Sequence, residues 1–436
     1  MSQTSSALVR PQVHSKGKRT TVPKLPLVTF LFYIFALYLV LPFYDVPLLG
    51  LSISAPIFFF IAAFVVFKPP HPWLRPYQGW IIWAVVFWAG IFISSVANGL
   101  LSGGVNIDTE GISLIIHYAY WMLVFVITAY FASQGDMLKR ISRVLGWGVL
   151  ALALARWGEV VIYGNYGAWS GTRLLSQNTY GFLFSVFSPF LLVKIFENSG
   201  FKKLLAISAN LLLWGAAAIN GSRGSWISIG IGLAICLLIL LIKRPGHFIS
   251  LAVLFVVIGF LAGSFSLLAP QMTSAVVDRF NTMENLEDDK SYQIRQLMIQ
   301  KGERLFLQSP LIGVGVGRFT KSSVPLDIPR VLSYAGQAHY DVKSSHNSYL
   351  DLLAESGLAG VVPFAVLLVI LSIRGGKAAF LGTRKNRFWI LAVFLSFVQM
   401  SIHMWAIASL TNTVNWFIYG LAAAAIVVSD QKKGVA

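Results

Sequence analysis

The sequence predicts an all-α membrane protein with about twelve transmembrane helices, and three observations predict it. They are the composition, the recurrence of long apolar runs, and the alternation of basic charge between the connections. Of 436 residues, 56% are hydrophobic and only 12% charged, with a mean hydropathy of +0.71. A soluble domain carries roughly twice that charged fraction, so the composition places the chain in the membrane class. The one cysteine, Cys236, lies inside an apolar run. No disulfide framework or cysteine metal site can be built from it.

A helix needs about 20 mostly apolar residues to cross a bilayer. Such runs fall near 25–43, 48–67, 79–101, 112–132, 144–163, 179–196, 204–220, 225–242, 248–269, 349–373, 388–408 and 412–429. The first follows a basic, Ser-rich segment without a small-residue cleavage site and reads as an anchor, not a signal peptide.

Cytoplasmic connections carry excess Lys and Arg. With residues 1–24 inside, the inside segments collect Arg10, Lys16, Lys18, Arg19 and Lys24, then Lys68 and Arg75, then Lys139, Arg140 and Arg143. Lys194, Lys202, Lys203, Lys243 and Arg244 follow, and after them Arg374, Lys377, Arg384, Lys385, Arg387, Lys432 and Lys433. The short outside connections hold only Arg173 and Arg223. The net charge of +17 is therefore mainly a topology signal and needs no nucleic-acid partner. The expected organisation is a cytoplasmic tail (1–24), helices one to nine (25–269), a periplasmic loop (270–348), helices ten to twelve (349–429) and a cytoplasmic tail (430–436).

A connection as long as 270–348 is usually functional or disordered, and this one carries signals of order. Ile294, Leu297, Met298 and Leu305 follow helical spacing, after Asp288, Asp289 and Ser291 and before Ser309-Pro310. The pattern predicts an amphipathic helix near the outer membrane face, either packed on the bundle as a lid or contacting substrate.

Ionisable side chains within spans are functional candidates by default. With this topology His117, Arg156, Glu159, Asp351, Glu355 and His403 all fall toward the outer ends of their spans. Arg156 and Glu159, three apart, read as a neutralising pair, and His117 and His403 as satisfied helix contacts. Asp351 and Glu355 share a helix face near a helix N-terminus and read as capping groups or partners of an outer arginine. Arg173 and Arg223 defy the charge bias, and a guanidinium binds phosphate in a bidentate way. His346 sits just before a membrane helix, where an imidazole can serve as general base. Gly313-Val314-Gly315-Val316-Gly317 lacks the strand context of a phosphate loop and reads as a tight turn. Glu287-Asp288-Asp289 reads as a solvated acidic turn without metal-ligand spacing. No zinc-protease motif, Walker motif or nucleophile elbow is present.

Ser222-Arg223-Gly224-Ser225 between two spans and Arg295 in the loop helix are followed by Pro310-Leu311-Ile312-Gly313-Val314-Gly315. His346-Asn347-Ser348-Tyr349-Leu350 then leads into Glu355-Ser356-Gly357. In this order and topology the chain resembles the O-antigen ligase and O-antigen polymerase superfamily, whose patterns recur in exopolysaccharide polymerases. The resemblance implies a metal-independent, inverting, membrane-embedded glycosyltransferase related to the GT-C class, with no cofactor. Its donor would be glycan on undecaprenyl diphosphate, and its acceptor lipid A–core oligosaccharide or another glycan. By the same resemblance, His346 is the catalytic residue and Arg173, Arg223 and Arg295 bind the diphosphate; Asp351, Glu355 and Arg156 are secondary candidates. The competing classes are a lipid-linked glycan transporter and a membrane scaffold. A transporter predicts related halves and midplane sites, and a scaffold leaves the outer arginines unexplained.

Overall fold

The structure is a computed structural model that describes residues 26–41, 54–66, 78–101, 109–164, 174–249, 251–252, 255–256, 259, 270–281, 289–381 and 387–431. Among them there are helices and no strands. In chain order the helices are α1 (Pro26–Val40), α2 (Ser54–Val66), α3 (Gln78–Leu101), α4 (Thr109–Ala132), α5 (Met137–Tyr163), α6 (Gln177–Glu197) and α7 (Gly200–Asn220). They continue as α8 (Arg223–Lys243), α9 (Pro270–Asn281), α10 (Lys290–Gln308), α11 (Gln337–Asp341), α12 (Ser348–Leu381), α13 (Arg387–His403) and α14 (Thr413–Gln431). Eight of the described helices are long and apolar enough to cross a membrane, and α1 and α13 are shorter apolar helices. The chain is a multi-pass membrane protein. Most of the expected run at 248–269 lies outside the described residues.

The helices divide by how they meet their surroundings. Every residue of α6 from Tyr180 to Phe196 is buried, and α14 is nearly as enclosed. A helix that is apolar on all sides and buried on all sides forms the middle of a bundle. The helices α3, α8 and α12 are mostly uncovered, as lipid-facing helices are. Close crossings rest on small residues: Gly90 of α3 lies against the Ala359 carbonyl of α12, and Gly420 of α14 against the Phe125 carbonyl of α4.

The contacts sort the helix ends into two groups. At one end Leu174 N–H donates to Glu159 (2.7 Å), Gln177 and Asn220 exchange amide–carbonyl bonds (both 2.9 Å), and Asn98 donates to the Gly313 carbonyl (3.1 Å). At the other, Lys194 lies over Trp147 (3.9 Å), Arg244 over Phe388 (4.9 Å), and Arg374 pairs with Asp430 (2.9 Å). The second group is the one that gathers basic side chains. The eleventh apolar run ends earlier than hydropathy suggests. Helix α13 stops at His403, because Ser348 N–H takes the carbonyls of Met404 (2.9 Å) and Ile407 (3.2 Å), folding 404–412 over the start of α12.

The expected loop helix is α10. It packs on the bundle by its apolar face. Leu297, Met298 and Leu305 join Phe319, Val324, Leu332, Tyr340, Leu350 and Ala354 in a second core, and each such side chain stabilises by roughly 1.5–3 kcal/mol when fully buried. Lys301, buried with them, donates to the Asp341 carbonyl at 2.5 Å. The segment after α10 interlocks with α12. Leu358 and Ala359 N–H donate to the carbonyls of Pro310 and Leu311, and Val314 and Gly315 N–H donate back to those of Ala354 and Glu355, all between 2.9 and 3.0 Å. The exchange requires a break in α12, and Gly357 supplies it at φ 56°, ψ −153°, a region open essentially to glycine alone.

Candidate functional site

Arg223 owes its place to a tight helix reversal. Gly221, at φ 68°, closes α7 in the left-handed conformation, and α8 begins two residues later. The Arg223 guanidinium ion-pairs with Asp289 at 2.5 Å, with the two side chains only 10% and 11% exposed. Asp289 also accepts from the N–H groups of Ser291 (2.8 Å) and Tyr292 (3.3 Å), which makes it the N-cap of α10. The solvated acidic turn expected of Glu287-Asp288-Asp289 is thus corrected at Asp289, whose carboxylate is half-buried and doubly engaged; Glu287 and Asp288 lie outside the described residues. Burial opposes ionisation of Asp289. The hydrogen bond and charge of Arg223, with the two N–H groups, nevertheless hold its carboxyl below the ordinary range.

Arg295 follows on the same helix. Burial lowers its pKa, the Arg223 charge adds to this, and Asp289 offsets part of it. From so high a starting value the guanidinium stays charged. Its field reaches His346, whose pKa is lowered first by burial and then by the charges of Arg295 and Lys343. At neutral pH the imidazole is therefore neutral and free to accept a proton. His346 is the one non-glycine described residue with positive φ, at 53°. The conformation is held from its C-terminal side. Ser345 exchanges hydrogen bonds with Asn347 (both 2.9 Å), and Asn347 caps α12 through Tyr349 and Leu350 N–H (3.0 and 3.2 Å).

Of the sequence-predicted site residues, Arg223, Arg295 and His346 therefore form one electrostatically linked group. Arg173 lies outside the described residues. Two of the secondary candidates, Arg156 and Glu355, have partners within the protein. Arg156 pairs with Glu159 at 3.3 Å in full burial, as the spacing suggests. The capping role expected of Asp351 or Glu355 belongs instead to Asn347. Glu355 accepts from Gly317 N–H (2.9 Å) and Phe319 N–H (3.0 Å). Gly313, Gly315 and Gly317, all at positive φ, thus form a turn whose N–H groups at Gly317 and Phe319 hold the protein's own carboxylate. His117 bonds the Ser113 carbonyl (2.6 Å) and lies against Trp121. His403 bonds Ser185 (3.2 Å) beneath Gly224.

Two placements escape sequence reasoning. Asp289 is legible as a helix start, but its arginine partner lies on a distant helix. His403 reads as an isolated polar residue, and only packing places it under the turn that carries Arg223. Among the described residues, no three His, Cys, Asp or Glu side chains group as metal ligands.

Residues 208–365 match the family model described as O-antigen ligase. No curated protein matches the chain. The matched segment holds Arg223, Asp289, Arg295, His346, Asp351 and Glu355, while Arg156 and His403 fall outside it. Members of this family are glycosyltransferase-like enzymes. The segment that carries the site is thus similar to the O-antigen ligase family over 208–365.

Proposed function

We propose that the protein is an O-antigen ligase of the inner membrane, which transfers glycan from undecaprenyl diphosphate to lipid A–core oligosaccharide at the periplasmic face. The observation that supports the reading is the ion pair of Arg223 with Asp289, the N-cap of α10, which brings the turn before α8 onto the helix that carries Arg295. An acceptor hydroxyl oxygen attacks the anomeric carbon and inverts it. The bond from that carbon to the phosphate oxygen breaks, and its electron pair leaves with the diphosphate. His346 takes the hydroxyl proton, a role worth roughly 10²–10⁴ in rate. Arg223 and Arg295 stabilise the growing charge on the leaving group, each charge-assisted hydrogen bond contributing about 1.5–3 kcal/mol. Arg173 is a further candidate for the same task. The arginines do the work that a divalent cation does in other transferases.

The test is purified protein with lipid-linked glycan and either lipid A–core or a second lipid-linked glycan, with and without EDTA. Transfer to lipid A–core that survives chelation is expected. Transfer only to the second glycan makes the protein a polymerase, and translocation without bond formation makes it a transporter. Activity lost to EDTA and restored by Mg²⁺ or Mn²⁺ overturns the arginine mechanism.

A further inference from the structure

The ion pair between Arg223 and Asp289 raises a question for any anionic ligand, since the guanidinium proposed to hold a diphosphate already holds a carboxylate at 2.5 Å. We propose that Asp289 is a positioning residue that competes with the diphosphate for Arg223, occupying the guanidinium when the site is empty and reclaiming it as the lipid diphosphate leaves. The inference rests on the reading of Arg223 as a diphosphate ligand.

Three features of the geometry favour exchange over permanent pairing. The Asp289 carboxylate has independent partners in Ser291 and Tyr292 N–H, on the oxygen that does not face Arg223, so it stays hydrogen-bonded when the guanidinium turns away. Its helix is held to the bundle by an apolar face through Leu297, Met298 and Leu305, so releasing the ion pair does not undock α10. The same carboxylate offsets the repulsion between Arg223 and Arg295, a repulsion that a bound diphosphate relieves more fully. A carboxylate this close to a phosphate site also repels the phosphate, so the pair reforms as the product moves off. The expected consequence is weaker retention of undecaprenyl diphosphate than two unopposed arginines would give.

Asparagine keeps the capping oxygen and removes the charge, so Asp289→Asn isolates the electrostatic role; Asp289→Ser, another good cap, is the second variant should the first fold poorly. Binding of undecaprenyl diphosphate to purified protein in nanodiscs is measured for the wild type, Asp289→Asn, Arg223→Ala and the double variant. The expected result is about tenfold tighter binding by Asp289→Asn, the size of one exchanged charge-assisted bond. It should come with a lower KM and no gain in the Arg223→Ala background. Unchanged or weaker binding by Asp289→Asn and Asp289→Ser, with binding lost in Arg223→Ala, overturns the competition and leaves the diphosphate reading standing. Wild-type affinity in Arg223→Ala removes the diphosphate reading itself, and the proposal with it.

Discussion

His346 combines a strained backbone with a lowered pKa, and the two have different origins. The left-handed conformation, worth of order 1–3 kcal/mol of strain, comes from the Ser345–Asn347 turn that starts α12. The lowered pKa comes from burial, then from Arg295 and Lys343. A base must be neutral to accept a proton, so a lowered pKa extends activity toward acid. The acid limb of kcat/KM is expected below about pH 6.5, the ordinary histidine value. Arg295→Gln removes a cation that disfavours the imidazolium, and the limb should move upward toward that value, whatever the loss in absolute rate. A limb that stays in place assigns it to another group. His346→Ala should lower turnover by roughly 10²–10⁴ while affinity for undecaprenyl diphosphate is kept, because a general base acts in the transition state. Equal losses in affinity and turnover would make the histidine a phosphate ligand.

At the level of the element, the break in α12 is the feature on which the site depends. The helix yields N–H and carbonyl groups to 310–315 at Gly357, and Glu355 fastens the following turn through Gly317 and Phe319. Together these set where the loop core stands over α12, and therefore where α10 presents Arg295. A Cβ at Gly357 would meet the Pro310 carbonyl and the backbone of Leu311 and Gly313, in a conformation that side chains do not adopt. Gly357→Ala is expected to cost more than the 1–3 kcal/mol of strain alone and to lower the thermal midpoint in detergent sharply. Gly158→Ala, on a helix with nothing near its Cβ, should leave the midpoint unchanged or raise it. Equal midpoints for the two variants would contradict the interlock.

For the whole molecule, the sorting of helix ends is the finding with the widest consequence, since the proposed chemistry needs its site on the side away from most of the lysines. The end that bears Arg223 and His346 should face the periplasm. A cysteine at exposed Ser323, whose hydroxyl reaches Asp341 at 2.6 Å, should react with an impermeant maleimide in cells with a permeabilised outer membrane. A cysteine at Ser15 should not, and the buried Cys236 keeps the background low. The reverse pattern would invert the topology and overturn the site assignment.

What the sequence determined by itself was whatever depends on neighbouring residues and on the bilayer. The helical class, nearly every helix described, the α10 periodicity from Ile294 to Leu305 and the Arg156–Glu159 pair were legible, because a spanning helix satisfies its own backbone and its signals are local. Arg223, Arg295 and His346 stand out in the sequence through the family resemblance. Only the tertiary structure decided what joins distant segments. It put Asp289 on Arg223, His403 beneath Gly224, and Glu355 on the glycine turn instead of at a helix cap. It also ended α13 at His403, because Ser348 takes carbonyls from the turn that follows. A carboxylate or a carbonyl carries no mark in the sequence of which remote donor will reach it. That choice is made by how the helices pack, and packing is a property of the whole chain.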